Sequence, residues 1–366
     1  MSKEYYIIPV FVPHKGCPYD CIFCNQKKIT GTEKDVTAKQ IVKKIQTFIK
    51  TIPNKSANIE VAFYGGSFTG IPIDKQNELL SAAHSFKEKK MIQGIRISTR
   101  PDYINVQILK NLKDFDVTTI ELGVQSMANE VLHLSSRGHS REDVIRASAM
   151  IRKFNISLGL QMMIGLPGDT LEKMFYTANE IIKLKPDVVR IYPTLVIKHT
   201  ALETLYSRKL YKPLSLDEAI QICKTLLIMF ESEDIEVIRI GLQPTENILQ
   251  GKDVIAGPFH PAFRELVESE IRLDMMKWAI SQFRKIPRQI KIYTNPKAIS
   301  EVIARKRKNI DYLKDKFNFS KVEIIQDINL LRDEIIVSSA EESHAVNKKF
   351  FLRLMKNSRN FIENIE

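Results

Sequence analysis

From residue 5 to about residue 242, short apolar runs of strand composition alternate with stretches whose apolar positions recur every three or four residues. "YYIIPVFV" reads as a strand, and "TAKQIVKKIQTFIKTI" as a helix with Thr37 as its N-cap. "NIEVAFYGG", "QGIRISTRP", "VTTIELGVQS", "ISLGLQMMIGLPG" and "PDVVRIYPTLV" read as five more strands. Each is followed by a helical pattern: "DKQNELLSAAHSF", "INVQILKNLKDF", "REDVIRASAMIRKFN", "TLEKMFYTANEIIKL" and "SLDEAIQICKTLLIMFESE". "IEVIRIGLQ" can add one more strand. Six β-then-α units predict a parallel sheet with crossover helices, either an open doubly wound sheet or a full or partial (βα) barrel. Glycine, polar and charged residues gather where the strands end, in "YGGSFTG", "STRPD", "GVQS" and "GLPGD". Both folds bind ligands at that edge.

The texture then changes. Residues 243–286 carry turn residues and pass into helical "SEIRLDMMKWAISQF". After Pro287, "RQIKIYTNP", "KVEIIQD" and "DEIIVSS" read as strands. "AISEVIARKRKNIDYLKDKF" reads as one or two helices, and "HAVNKKFFLRLMKNSRNFIENI" as a last helix. The expected organisation is a core over 1–242, a connecting segment over 243–286 and a small α+β domain over 287–366.

Composition adds boundaries. At 44% hydrophobic and 27% charged, the chain has the balance of a soluble globular protein. No apolar run approaches the ~20 residues of a membrane helix. The N-terminal apolar run lacks a small-residue cleavage site, so it reads as a strand, not a signal peptide. The expected location is cytoplasmic, with no membrane partner. Net charge is +12, which favours a polyanionic partner. Of four cysteines, Cys17, Cys21 and Cys24 fall within eight residues, in a loop after the first strand. Cys223 lies in a helical pattern and reads as a core thiol. A zinc site would want a fourth ligand, for which His14 is near enough in sequence. A 4Fe–4S cluster can instead take three thiolates and leave one iron open.

C-x3-C-x2-C in this loop, ahead of alternating βα units, resembles the radical SAM superfamily. "GGSFTG" resembles that superfamily's glycine-rich segment after the second strand. The resemblance implies a partial (βα) barrel. It also implies a 4Fe–4S cluster on Cys17, Cys21 and Cys24, whose open iron binds S-adenosylmethionine. Reductive cleavage would yield methionine and a 5′-deoxyadenosyl radical, with an electron donor as a further partner. "STRPDY", "ELGVQS", "SSRGH", "MMIGLPGDT" and "IYPTLVIKHTALETLYSRKLYKPLS" are similar, in order, to the radical SAM part of the Elongator catalytic subunit. They are more loosely similar to oxygen-independent coproporphyrinogen oxidase. The likeness spans roughly residues 10–240.

By that resemblance, Gly65, Gly66 and Ser67 would approach the methionine part of the cofactor. Gln125 and Arg137 would contact the bound cofactor, Arg137 with the fork that suits a carboxylate. Arg100 belongs to the same polar pocket. Gln161 stands where the coproporphyrinogen oxidases carry Asp. Tyr192 and Lys198 face either substrate or, equally well, core and solvent. The Elongator subunit continues into an acetyltransferase domain, for which the roughly 120 residues after the barrel leave no room beside the small domain.

Residues 285–321 hold eleven Lys or Arg against three acids, a net of +8. "VIARKRKNIDYL" resembles the helix–GxxG–helix core of a KH domain, which clamps a nucleic-acid backbone. The two loop glycines would fall at Ala304 and Arg307, so the likeness is to a degenerate KH-like unit. Arg305, Lys306, Arg307 and Lys308 are the expected RNA contacts. The leading reading is therefore a radical SAM enzyme acting on RNA, in particular tRNA. A small-molecule or protein substrate, or an RNA-binding iron–sulfur protein without catalysis, are the alternatives.

Overall fold

The computed structural model describes residues 4–12, 17, 21–25, 35–54, 56–242 and 251–357. Its contacts divide the chain into two compact units, 1–215 with 242–259, and 216–241 with 260–366. This division departs from a cut at 242 and again at 287. The helix Leu216–Ser232, read from sequence as the last crossover of the core, buries ten of its seventeen residues and packs on the helix Phe263–Ser281. Those contacts group it with the C-terminal residues.

The first unit runs β1 (Tyr5–Val12), α1 (Ala38–Thr51), β2 (Asn58–Gly65), α2 (Ile73–Glu88), β3 (Gly94–Thr99), α3 (Val106–Asp114), β4 (Thr119–Gln125), α4 (Asn129–Leu134), α5 (Arg141–Lys153), β5 (Ser157–Ile164), α6 (Leu171–Lys183), β6 (Val188–Pro193) and α7 (Ala201–Ser207). It contributes β1 to β6, in chain order and all parallel, to one half-barrel sheet. Parallel strands joined by helices bring every strand's C-terminal end to one edge. Central β4 is buried along its whole length, as a strand covered on both faces must be.

Polar residues set the starts of several of these helices. Thr37 accepts from the Gln40 N–H while the Gln40 side chain returns to the Thr37 N–H, and Ser140 with Asp143 repeats this box at α5. Asn105 and Thr170 cap α3 and α6 in the simpler way. The sequence reading did not resolve α4, α7 or the short antiparallel pair Val196–Ile197 with Val254–Ala256.

In the second unit a four-stranded sheet has the order 321–326, 289–294, 334–338, 343–347. The first pair is parallel and the others antiparallel. The helices Ile299–Ile303 and Lys308–Phe317 lie between the two parallel strands in sequence. His344–Asn347, expected to open the final helix, instead belong to the strand Ser343–Asn347. Ser339 turns the chain by donating its N–H to the Glu342 carbonyl, so the following residues pair back on 334–338. Cys223 is fully buried in its helix, and that burial pushes its thiol up.

Candidate cofactor site

The three clustered cysteines and the seven residues expected around S-adenosylmethionine line one cavity in the first unit. The cysteine loop is held from two sides. Ile22 donates its N–H to Ser135 O at 3.2 Å, just past α4, and accepts from Leu202 N–H in α7 at 2.8 Å. Asn25 Nδ2 donates to Lys198 O at 3.2 Å. The long "IYPTLVIKHTALETL" segment therefore clamps the loop through its backbone. Lys198 takes part by its carbonyl, which its side-chain type could not have signalled.

Burial pushes the Cys17 thiol up, while the Ser67 backbone N–H and the Arg137 and Arg100 guanidiniums pull it the other way. Arg137 Nη1 lies 3.4 Å from Cys21 Sγ. Cationic neighbours favour the thiolate, the form that binds soft metals. Among the described residues no three Cys, His, Asp or Glu side chains already stand as a closed metal-binding group. His14 lies outside the described residues.

Glycine makes room for Arg137. Its Nη2 donates to Gly123 O at 2.7 Å, and a Cβ on Gly123 would sit 2.6 Å from that nitrogen. Arg137 Nε and Gln125 Oε1 are both buried without a hydrogen-bond partner among the described residues. Gln125 also holds φ at +68°, an uncommon backbone state for a side chain of this kind. A buried donor and a buried acceptor left open in one wall call for a ligand that supplies both complements. The carboxylate and ammonium of a bound amino acid do so. With three thiols beside them, the residues fit a 4Fe–4S cluster carrying S-adenosylmethionine.

Gly65 has a requirement of its own. Its φ is +112°, and a Cβ there would collide with the Val12 carbonyl oxygen. The close approach of β1 and β2 thus demands glycine whether or not a cofactor binds. Gly66 N–H donates to the same carbonyl at 3.3 Å. Ser67 Oγ accepts the Arg100 N–H at 3.2 Å and shares a hydrogen bond with Thr99. The Arg100 guanidinium forks onto Asp102, with Nε and Nη2 each 2.9 Å from a carboxylate oxygen. Asp102 was not among the expected residues.

A second polar layer crosses the same strands. Glu121, 1% exposed, accepts from Arg96 Nη1 at 2.9 Å, Arg190 Nε at 2.6 Å and Gln161 Nε2 at 2.7 Å. Arg96 continues to Glu60 and thence to Tyr5, and Arg190 donates to Tyr64. Burial opposes the Glu121 charge, but Arg190 and Arg96 outweigh it and hold the carboxyl below its ordinary range. An ionised carboxylate only accepts, so the Gln161 amide is oriented with its NH2 on Glu121 and its carbonyl oxygen left for the cavity. The signal for this layer was present in the sequence. "NIEVAF", "GIRIST", "TIELGVQ" and "VVRIYP" each carry one charge inside an otherwise apolar strand.

In the second unit, Arg305, Lys306, Arg307 and Lys308 are all exposed. The loop that carries them has φ of +58° at Ala304, +53° at Lys306 and +61° at Arg307. Two of these are the positions where the KH-like pattern would place glycine. The backbone adopts glycine's conformations without glycine. Among the described residues no helix is long and apolar enough to cross a membrane.

The sequence matches the Radical SAM superfamily over residues 11–181 and the Radical_SAM C-terminal domain over 186–272. It is 29% identical over 256 residues to a tRNA uridine(34) acetyltransferase of Methanocaldococcus jannaschii, covering 59% of this chain and 47% of that one. It is 32% identical over 235 residues to an uncharacterized protein of the same organism, covering 60% of this chain and 70% of the relative. The matched region thus spans about half the length of the tRNA uridine(34) acetyltransferases it resembles. The solved structure of an archaeal Elp3 from Methanocaldococcus infernus, with its N-terminus deleted, shares the fold at a TM-score of 0.61 and 24% identity. That match covers 75% of this chain and 64% of the other. The chain belongs to the radical SAM superfamily of enzymes, and its relatives include tRNA uridine(34) acetyltransferases and Elongator complex protein 3.

Proposed function

We propose that the protein binds a 4Fe–4S cluster through Cys17, Cys21 and Cys24, binds S-adenosylmethionine beside it, and modifies tRNA. When bound and reduced by an external electron donor, the cluster supplies reductive cleavage of S-adenosylmethionine to a 5′-deoxyadenosyl radical. The chain's own residues receive and orient the cofactor. Arg137 offers its open Nε to the carboxylate, and Gln125 offers Oε1 to the ammonium. Gly65, Gly66 and Ser67 bring backbone to the methionine side. Gln161, held by Glu121, presents an acceptor to the adenosine side. Arg100, its charge balanced by Asp102, adds polarity without net charge.

The observation that carries this reading is the convergence of three thiols with the two open polar atoms of Gln125 and Arg137 in a single cavity. The tRNA assignment is supported by relatives named for tRNA uridine(34) and by the net +8 of residues 285–321. Arg305–Lys308 would contact phosphates there, and the work would be done in the cytoplasm. Acetyl transfer is not carried over. Mass spectrometry of nucleosides in tRNA from a strain lacking the gene tests the substrate. One modified nucleoside should disappear and return with the wild-type gene, but not with the Cys21→Ala gene. An unchanged nucleoside profile would reject tRNA as the substrate.

A further inference from the structure

Beside the cationic loop of the second unit lies a groove of about 520 Å3. Its walls are mainly apolar, from Leu266 of the helix Phe263–Ser281 and from Ile299, Ile303 and Ala304, with Glu265, Ser269 and Ser300 adding polar groups. His260 and Arg305 stand among its lining residues. The Ala262 N–H donates to His260 Nδ1 at 3.1 Å, so the neutral ring carries its proton on Nε2 as a donor. A groove of this volume is ligand-sized.

The loop at its edge is held in shape from behind. Asn309 is fully buried, and its Nδ2 is shared among the carbonyl oxygens of Ser269, Val302 and Glu301 at 3.0, 3.2 and 3.4 Å. One side chain thus ties the start of the helix Lys308–Phe317 to the two helices that wall the groove. Outward, Arg305, Lys306 and Arg307 form no ion pair among the described residues, and Lys308 reaches Glu270 at 3.2 Å. Three cations without an ion pair among the described residues therefore sit in a fixed arrangement next to a mainly apolar slot. A cationic rim and an apolar wall complement a chain of alternating phosphates and flat bases, with the bases unpaired so that their faces are available. A loop already ordered loses less freedom on binding.

We propose that this groove is a subsite for one unpaired nucleotide of the RNA substrate, with its base against Leu266, Ile299 and Ile303 and the flanking phosphates on Arg305–Lys308. The proposal rests on the reading of tRNA as substrate and adds to it a single-stranded docking point in the second unit. The test is fluorescence anisotropy on the full chain with two probes, a labelled octauridylate and an abasic ribose-phosphate oligomer of equal length. The wild type should hold octauridylate about tenfold more tightly, equivalent to about 1.4 kcal/mol. Ile303→Asp should erase that ratio. R305Q/K306Q/R307Q should weaken both probes alike and flatten the log–log salt slope by roughly 0.7 for each phosphate no longer neutralised. The wild-type ratio requires no substitution, so a variant that fails to fold does not shield the proposal. Equal affinity for the two probes would overturn it, and so would failure to bind either. In both cases the nucleoside measurement still decides the tRNA reading on its own.

Discussion

His139 meets the Val124 carbonyl through Nε2 at 3.1 Å, from a position only 6% exposed. Burial, with the Arg137 and Arg100 guanidiniums nearby, pushes its imidazole down to about 3. The ring is therefore neutral when folded, with its proton on Nε2 donated to the carbonyl. Its folded pKa lies below the unfolded value of about 6.5, so the associated stability is present above that value and is lost as pH falls. At pH 5.5 the unfolded chain gains about 1.4 kcal/mol from a protonation that the folded chain refuses. Urea unfolding of the metal-free chain at pH 7.5 and 5.5 measures this. His139→Gln should lose less stability than wild type between the two, by about that amount. Equal losses would mean that His139 titrates normally in the fold. At this scale the sequence was legible where a motif named the residue, as for Cys17, Gln125, Arg137 and Gln161, which share one cavity. It was not legible for partners chosen by space. Asp102 beside Arg100, and Glu121 between Arg96 and Arg190, depend on which side chains meet across strands.

Elements were legible wherever their period was strong. The first unit's six parallel strands and the helices between them, α4 excepted, follow the apolar pattern, and Thr37 caps the helix it was expected to cap. The failures came in polar, short pieces. Ser343–Asn347 buries only Val346 and carries no apolar alternation, so its strand identity comes from the turn before it. The loop between Ile299–Ile303 and Lys308–Phe317 makes a further point. Ala304 stands at φ +58°, ψ 171°, a region that glycine occupies freely and alanine does not. Ala304→Gly relieves strain of order 1–3 kcal/mol. It also adds unfolded-chain freedom worth about 0.4–1 kcal/mol. The net expectation is a gain of about 1 kcal/mol in urea stability, against the usual cost of introducing glycine. A decrease instead would show that the loop relaxes around the alanine.

For the whole molecule, periodicity could not show how the chain partitions. The helix Leu216–Ser232 follows the β-then-α rhythm, yet its buried face groups it with the C-terminal unit. Only three-dimensional packing reveals that. The division bears on function, because the cofactor cavity belongs wholly to the first unit and the cationic loop with its groove wholly to the second. Changes in the loop should therefore alter RNA binding and leave cofactor chemistry intact. The central claim is that the cysteine cavity holds a cluster able to cleave S-adenosylmethionine. The most direct measurement is 5′-deoxyadenosine released by anaerobically reconstituted, reduced protein, read together with iron content. Wild type and Cys223→Ala should each hold about four irons and release 5′-deoxyadenosine with methionine, while Cys21→Ala should do neither. A wild-type chain that binds zinc in place of iron and releases no 5′-deoxyadenosine would contradict the account.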